Sequence, residues 1–277
     1  MTRRLLGVFA HPDDESFGPG GTLAVHALDG VDVHIATMTD GAAGTPAAGF
    51  PAGDDLARVR REELAAAART LGATLHHFSY RDSGFIGDER NQMPDAFINV
   101  DEAGPLADLV VLIRDIRPDV VLTHDENGGY HHPDHVRCHV LTRRAFEAAG
   151  DPDHHPELGA PFAPSRLYSE TRSNRSIKLL VRALRLVGRD PTRMGVNKDV
   201  DFTRVGMDPA RITTSIDVRG GLARKRAAAL CHVSQRGDVG PLRRVPVWLL
   251  ALLTPRELFI RELPAPRPGL RERSLFE

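Results

Sequence analysis

The sequence predicts an α/β protein with a Rossmann-like, mainly parallel sheet, helices on both faces and a smaller C-terminal addition. Short apolar runs alternate with amphipathic helical segments through the first half of the chain, which is typical of repeated strand–helix–strand units. Polar clusters follow two of the predicted strands, and in such sheets ligands bind beyond the carboxyl ends of the strands. We expect residues 1–150 to form the core with the site, and residues 151–277 to complete the sheet and the pocket.

The first repeat is a strand, a glycine-rich turn, a helix and a second strand. Leu5 to Ala10 is a continuous apolar run, and a helix begins near Gly20. Gly30 is expected to end that helix, since glycine is frequent just after a helix. Residues 31–38 then alternate between apolar and polar, as a strand does.

Further elements follow in the same alternation. A loop rich in Gly, Ala and Pro is predicted at 42–53. The predicted helices are 54–71, 106–116, 133–145 and 222–231, and the predicted strands are 75–78, 119–124, 166–170 and 213–218. The tail from Gly237 is rich in proline and basic residues, and we expect it to pack on the core or to contact another subunit.

A separate helical pattern covers residues 175–189. Basic residues fall on one face and apolar residues on another: Arg175, Lys178, Arg182, Arg185 and Arg189 against Ile177, Leu180, Leu184 and Val187. A surface helix packed on its apolar face is the simplest interpretation. A lid over an anionic substrate and a helix on a membrane surface are the alternatives.

Composition excludes several classes of function. The 36 basic and 37 acidic residues nearly balance, and aromatic residues are only 5% of the chain, so no nucleic-acid partner is expected. The longest apolar run is too short for stable membrane insertion. Cys138 and Cys231 form no CxxC pair, which fits reduced thiols in the cytoplasm. A homo-oligomer is compatible with these features.

The stretch after the first strand carries the first chemical signal. His11 and Asp14 lie three residues apart on a predicted turn, and an imidazole and a carboxylate at that spacing can close on one cation such as zinc. Asp13 between them points elsewhere and stays free for proton chemistry. After the fourth strand, His132 and His135 flank Pro133 at the start of a helix and can share a face.

At these motifs the chain resembles a known family. AHPDDE at 10–15 together with GGYHHPDH at 128–135 resembles the LmbE/PIG-L family of zinc-dependent N-acetylglucosaminyl deacetylases. RDSG at 81–84 is similar to the branch of mycothiol deacetylases and mycothiol-conjugate amidases. DVRGGLARKRAAALCHVSQ at 217–235 resembles the closing helix of the family.

The resemblance implies a metal centre. His11, Asp14 and His135 would be the zinc ligands, with one coordination position left open for water, as catalytic zinc sites have. Fe(II) would accept the same ligand set. The alternative is that these three residues are hydrogen-bonded loop side chains.

The resemblance also implies catalytic roles. Asp13 would be the general base, His132 would stabilise the oxyanion and protonate the leaving amine, and Tyr130 would polarise the amide carbonyl. Asp134 would orient a ligand or catalytic histidine. The alternatives are a structural turn aspartate for Asp13, a fourth metal ligand or a helix-start residue for His132, and structural roles for the other two.

Two positions correspond to sugar-binding residues of the mycothiol enzymes. Arg60 and Asp82 would hold sugar hydroxyls. Arg60 could instead form a helix-surface salt bridge with Glu63 or a neighbouring acid, and Asp82 could close the RDSG turn. His131 occupies a position where the family more often has glycine, so its side chain is expected to narrow the pocket.

These features predict a zinc hydrolase whose partner is a small N-acetylated amino sugar or conjugate. The alternative is a zinc amidase that cleaves a thiol conjugate or a non-sugar amide. A nucleotide-binding module is disfavoured because His-Pro-Asp-Asp stands where phosphate-binding glycines would be. A metal-binding protein without catalysis is disfavoured because it has no need of Asp13.

Overall fold

The computed structural model describes residues 2–195, 197–198, 200–235 and 245–277. Within these residues seven strands form one sheet in the order β3–β2–β1–β4–β5–β7–β6. The first five strands in that order are parallel, and β7 is antiparallel to both of its neighbours. The strands are β1 (Arg4–Phe9), β2 (Asp32–Thr39), β3 (Thr74–Tyr80), β4 (Val120–Thr123), β5 (Arg166–Thr171), β6 (Thr214–Asp217) and β7 (Arg256–Leu263).

Helices cover both faces of this sheet, which confirms the predicted α/β architecture. The helices are α1 (Asp14–Phe17), α2 (Gly20–Leu28), α3 (Asp54–Leu71), α4 (Ala103–Ile116), α5 (Gly128–His131), α6 (Pro133–Gly150), α7 (Asn174–Leu186), α8 (Leu222–Ala229) and α9 (Val247–Leu253). Apolar residues of α2, α3, α8 and α9 pack on one face, and those of α4 and α6 pack on the other.

Strand β1 lies at the centre of the sheet and contributes to both cores. Leu5 and Phe9 belong to one apolar cluster, while Leu6 and Val8 belong to the other. All four are fully buried, and each such side chain contributes ~1.5–3 kcal/mol to stability. Burial on both faces explains why this strand is apolar throughout rather than alternating.

The order of the strands determines where a site can form. β1 pairs with β2 on one side and with β4 on the other, so the connections that follow β1 and β4 leave the sheet in different directions. A crevice therefore opens between the carboxyl ends of β1 and β4. Both predicted polar clusters begin at those two ends, which explains how they come together.

The C-terminal part differs from the sequence prediction in two places. β7 was not predicted, and it joins β5 to β6 within the same sheet. In α7 the predicted apolar face is only partly packed: Ile177 and Leu184 are half-buried, but Leu180 and Val187 are exposed. Residues 237–244 of the predicted contact tail lie outside the described residues.

Two other expectations concern membranes and thiols. Among the described residues, no helix has both the length and the apolar character needed to cross a bilayer. Cys138 is buried and Cys231 is half-buried, and both are free thiols, as the absence of a CxxC pair predicts.

Candidate active site

The turn that follows β1 is held in an unusual backbone conformation. Asp13 has φ 126°, a region that side-chain-bearing residues rarely adopt. His11 N–H donates to Asp14 Oδ2 at 2.8 Å, and Asp13 N–H donates to Glu15 Oε2 at 2.9 Å. These two bonds separate the carboxylates of the turn, so that Asp14 faces His11 while Asp13 points away.

The side chains of His11, Asp14 and His135 lie next to one another. His11 Nδ1 lies 3.1 Å from His135 Nε2 and 3.5 Å from Asp14 Oδ2. His135 Nε2 lies 3.3 Å from Asp14 Oδ1. Ligand atoms at zinc–ligand distances of about 2.0–2.1 Å and tetrahedral angles are about 3.3 Å apart. The three residues are thus close enough to share one cation, with Asp14 reaching His11 through Oδ2 and His135 through Oδ1, and all three are largely shielded from solvent. His132 and His124 also lie within metal-sharing distance, in the groups His11–His132–His135 and Asp14–His124–His135.

The charges around these groups favour metal-ligand protonation states. Burial, together with the neighbouring His124 and His11, lowers the pKa of His135 to about 4, although Asp14 opposes this shift. Burial alone would raise the pKa of the Asp14 carboxyl, but His135 and His124 hold it well below its usual range. A neutral imidazole and an ionised carboxylate are the forms that bind metal.

Two buried carboxylates lie behind the other nitrogen of His11. His11 Nε2 is 3.2 Å from Asp134 Oδ2 and 3.5 Å from Asp82 Oδ1. Burial would lower the pKa of His11, but Asp82, Asp134 and Asp14 together raise it well above its usual value. An imidazole that donates to a carboxylate through one nitrogen has its other nitrogen free to accept a metal.

Asp13 and Arg60 form a buried ion pair beside this centre. Arg60 Nη2 lies 2.8 Å from Asp13 Oδ2 and also donates to the Pro12 carbonyl, while Nη1 donates to the Gly41 carbonyl at 2.8 Å. Burial raises the pKa of Asp13 to about 7, even though Arg60 lowers it. The guanidinium therefore fixes both the side chain and the backbone of the turn.

His132 and Tyr130 line the opposite side. His132 caps α6, and its Nδ1 accepts the Asp134 N–H at 3.3 Å. Its ring centroid lies 4.5 Å from that of His11 and 4.9 Å from that of His135. Burial, together with the neighbouring His11 and His135, lowers the pKa of His132 well below its usual value. The Tyr130 ring stands edge-on to His135 at 5.2 Å.

Left-handed backbone brings Tyr130 and His135 to this position. Gly128 has φ 63°, and a Cβ there would lie 2.9 Å from Val136 Cγ2 and 3.0 Å from His135 Cβ, so only glycine fits. His131 has φ 70°, which is a physical reason for glycine at that position. Its ring Nε2 lies 3.2 Å from the Arg204 carbonyl oxygen.

Every residue predicted for the site therefore lies at this edge of the sheet. The predicted alternative of a surface salt bridge between Arg60 and Glu63 is wrong, since Arg60 is buried on Asp13 and Glu63 accepts from Ser234 instead. Asp82 does close its turn, because Gly84 N–H donates to Asp82 Oδ1 at 2.9 Å. Asp82 Oδ2 accepts the Ala43 N–H at 3.2 Å.

Two histidine–glutamate pairs at the site were missed by sequence reasoning. His124 stacks on His135 with ring centroids 4.0 Å apart, and its Nδ1 lies 3.3 Å from Glu170 Oε1. Burial lowers the pKa of His124, but Asp14 and Glu170 raise it to about 9. The only sequence signal was that His124 and Glu170 each come at the end of a strand.

The second pair connects the C-terminal part to the turn that follows β1. His232 Nε2 lies 2.8 Å from Glu15 Oε1, and both side chains are fully buried. Glu15 is the residue that accepts the Asp13 N–H. Both residues stand inside motifs of the sequence, AHPDDE and CHVSQ, but nothing in either motif indicates that they meet.

Comparison with known sequences gives one consistent family. The profile of PIG-L, the GlcNAc-PI de-N-acetylases, matches residues 6–146. Among curated relatives, 1D-myo-inositol 2-acetamido-2-deoxy-alpha-D-glucopyranoside deacetylase from Thermobispora bispora is 39% identical over 84% of this chain and 79% of its own length. The protein of the same name from Streptomyces scabiei is 37% identical over 99% of this chain and 89% of its own.

Solved structures share the fold at lower identity. N,N'-diacetylchitobiose deacetylase from Pyrococcus horikoshii aligns with a TM-score of 0.63 and 21% identity, over 96% of this chain and 84% of its own. GalB, a 4-carboxy-2-hydroxymuconate hydratase from Pseudomonas putida, aligns with a TM-score of 0.62 and 20% identity, over 97% and 100%. These two proteins have different activities, so at this identity the likeness establishes the fold alone.

Proposed function

The chain belongs to the PIG-L family of GlcNAc-PI de-N-acetylases, and from this membership we propose that it removes the acetyl group from an N-acetylated amino sugar. The proposed substrate is a glycoside in which N-acetylglucosamine is joined to myo-inositol, as in the names of the relatives at 37–39% identity. The observation that carries the proposal is the convergence of three side chains, with nitrogen and oxygen atoms 3.1–3.5 Å apart and both Asp14 oxygens engaged, beside a carboxylate that is not one of them.

The proposed metal is zinc, held by His11, Asp14 and His135. Two imidazoles and one carboxylate suit zinc, and Fe(II) accepts the same set. When bound, the ion would supply a Lewis acid that polarises the amide carbonyl and lowers the pKa of a water to about 7. Asp134 and Asp82 are proposed to orient His11, since both approach its other nitrogen.

Asp13 is the proposed general base. Its carboxylate lies outside the ligand set, and Arg60 Nη2 holds it from 2.8 Å. A base must sit in a fixed position relative to the water that it deprotonates. We assign Arg60 and Asp82 first to positioning, because their polar atoms already bond protein groups. Their contact with sugar hydroxyls stays a prediction from the family resemblance.

His132 is proposed to stabilise the oxyanion and to protonate the leaving amine. Its Nδ1 accepts a backbone N–H, so the neutral ring carries its hydrogen on Nε2, where it can hydrogen-bond to the oxyanion. The ring can transfer a full proton only as the imidazolium, so we propose that it gains the proton that Asp13 removes from the water and passes a proton to the leaving nitrogen. That nitrogen keeps the electron pair of the cleaved C–N bond and departs as a neutral amine. Tyr130 is proposed to donate a hydrogen bond to the carbonyl oxygen as that oxygen gains negative charge. Stabilising this charge is usually the largest single contribution to catalysis of such a reaction.

We further propose a division of labour along the chain. Residues 1–150 supply the ligands, the base and the acid, whereas residues 151–277 complete the sheet and support the site through Glu170 and His232. The two free thiols fit a reducing compartment, and the proposed location is the cytoplasm.

The test is acetate and free amine released from a panel of amides by the zinc-reconstituted chain. The panel contains the N-acetylglucosaminyl-inositol named for the relatives, N,N'-diacetylchitobiose, a cysteine thioether conjugate with an amide bond, and a simple N-acetyl amino acid. Asp13→Asn removes the base, and Asp55→Asn, at an exposed position of α3, is the matched control.

Release from the inositol glycoside that needs both metal and Asp13 supports the proposal. Release from diacetylchitobiose alone keeps the deacetylase but overturns the inositol glycoside. Cleavage of the thioether conjugate alone supports the amidase alternative. Stoichiometric metal with no release from any compound contradicts the catalytic assignment, and the absence of bound metal contradicts the ligand assignment.

A further inference from the structure

Helix α7 exposes an apolar surface that the proposed function does not explain. Leu186 is 88% exposed, Val187 73%, Leu179 68% and Leu180 42%. Within the helix only Val181 is buried. Scattered apolar residues on a surface are ordinary, but four large ones within nine residues form a contiguous patch.

The residues of α7 divide into three arcs around the helix axis. At about 100° per residue, the arc that faces the core contains Ile177, Val181 and Leu184. The exposed apolar arc contains Leu179, Leu180, Ala183, Leu186 and Val187. The third arc contains all the cations within the helix: Arg175, Lys178, Arg182 and Arg185. The cations border the exposed apolar arc instead of being mixed with it.

The charge on this segment has one sign. Residues 171–189 contain six Arg or Lys and no Asp or Glu. Across the part of the chain that the structure describes, no ion pair involves a cation of α7. The two acids that flank this segment have other partners: Glu170 contacts His124, and Asp190 accepts from Thr192. A chain with a formal net charge of −1 thus concentrates positive charge here.

We propose that α7 is a membrane-surface helix that binds the protein reversibly to anionic lipid. The exposed leucines would enter the boundary between headgroups and acyl chains, and the cations beside them would contact lipid phosphates. A strong segregation of apolar and basic faces, with low mean hydropathy, is what distinguishes helices that lie on a bilayer from helices that cross it.

The arrangement of charge favours an anionic lipid surface over two other partners, a second copy of the chain and a nucleic acid. A two-fold contact with a second copy of the chain would bring the two cationic arcs together, and like charges at an interface oppose association. A nucleic acid would use the cations but would leave the leucines exposed, because phosphate contacts give no place for large aliphatic side chains. An anionic lipid surface offers phosphates to the cationic arc and acyl chains to the exposed apolar arc.

The place of α7 in the fold gives the interaction a consequence. The helix begins three residues after β5 ends, at the same edge of the sheet as the turn that follows β1. Its first residues are joined to segment 204–207, since Asn174 N–H donates to the Met207 carbonyl at 2.9 Å and Arg204 contacts His131 through its carbonyl. Binding through α7 would therefore hold the site next to the lipid surface.

The experiment is sedimentation of the full chain with vesicles of phosphatidylcholine alone or with about one-third phosphatidylglycerol, at about 0.1 M and about 0.5 M NaCl. One variant combines Leu179→Ser with Leu186→Ser, and a second combines Arg182→Gln with Arg185→Gln. The control combines Leu28→Ser with Arg69→Gln, which removes an exposed leucine and an exposed cation at the opposite edge of the sheet. Circular dichroism checks that each variant folds.

We expect binding to the phosphatidylglycerol vesicles that weakens at high salt and is unchanged in the control. The double arginine variant should partition ~25-fold less, since each cation near such a surface contributes about fivefold. The double leucine variant should lose at least about tenfold. Equal binding by all variants, or none by the wild type, overturns the proposal. So does a stable dimer in light scattering that the leucine variant dissociates, or binding to duplex DNA without binding to vesicles.

Discussion

Replacing His232 with alanine tests how the C-terminal part supports the turn that follows β1. His232 and Glu15 are fully buried, and their polar atoms are 2.8 Å apart. Glu15 also accepts the Asp13 N–H at 2.9 Å, where Asp13 has φ 126°. Without His232, the Glu15 carboxylate stays buried with no cationic ring beside it, and the strained turn loses a support.

The size of the effect follows from that burial. Removing one partner of a buried ion pair costs ~3–5 kcal/mol, because the other charge is left uncompensated. The matched control is His26→Ala, which removes a buried imidazole whose Nδ1 lies 2.7 Å from the Thr22 carbonyl oxygen. A lost neutral hydrogen bond costs ~0.5–1.5 kcal/mol. The two variants should differ by ~2–4 kcal/mol, or ~4–8 °C in Tm at about 2 °C per kcal/mol.

Thermal unfolding followed by circular dichroism measures this difference, and metal content and kcat are measured on the same samples. We expect His232→Ala to keep its metal but to lose kcat, since the turn positions the proposed base. His232→Gln, which can still donate to Glu15, should recover part of both losses. The reasoning is refuted if His232→Ala unfolds no earlier than His26→Ala, or if its kcat equals that of the wild type.

The same pair predicts a dependence of stability on pH. Burial lowers the pKa of His232, but Glu15 outweighs burial and raises the pKa above the usual value of 6.5. A raised pKa in the folded state stabilises the protein below the unfolded value, and this contribution is lost as pH rises through the folded value. The difference in Tm between wild type and His232→Ala should therefore shrink in alkaline buffer. A difference that grows with pH would contradict the assignment.

Other predictions concern the metal, the base and the backbone. His135→Ala should abolish stoichiometric zinc in elemental analysis, whereas His139→Ala should retain it, and equal zinc in both would exclude His135 as a ligand. Chelation should lower the Tm of the wild type. If zinc was present at about 1,000 times its Kd, its removal should lower the free energy of unfolding by about 4 kcal/mol, and an unchanged Tm would mean that no metal was bound. Asp13→Asn should keep zinc and lower kcat by ~10²–10⁴, and a smaller loss would argue against a general base. Gly128→Ala should cost ~1–3 kcal/mol in urea unfolding, and an unchanged midpoint would contradict the left-handed turn.

The parallel part of the fold could be predicted because its signal is local. β1 and β4 are short apolar runs that border a turn, and burial on both faces makes those runs obvious, whereas β2 could be predicted from its alternation. β7 lacks this signal, since Glu257, Arg261 and Glu262 interrupt it. Glu257 accepts the N–H groups of Gly21 and Thr22 at 3.0 and 2.7 Å, so its charge is used at the start of α2. A strand whose polar residues bond other elements cannot be distinguished from a loop by periodicity alone.

The site shows the same limit at the level of single contacts. His11 and Asp14 are close in sequence, so their spacing alone predicts that they share a cation. Glu15 meets His232 across 217 positions, and the chain has 13 histidines from which to choose. Only the packing of α8 against α2 and α3 decides which histidine arrives beside Glu15. The proposed metal ligands can thus be suggested from motifs, whereas the residues that hold the motif in its strained shape depend on the whole fold.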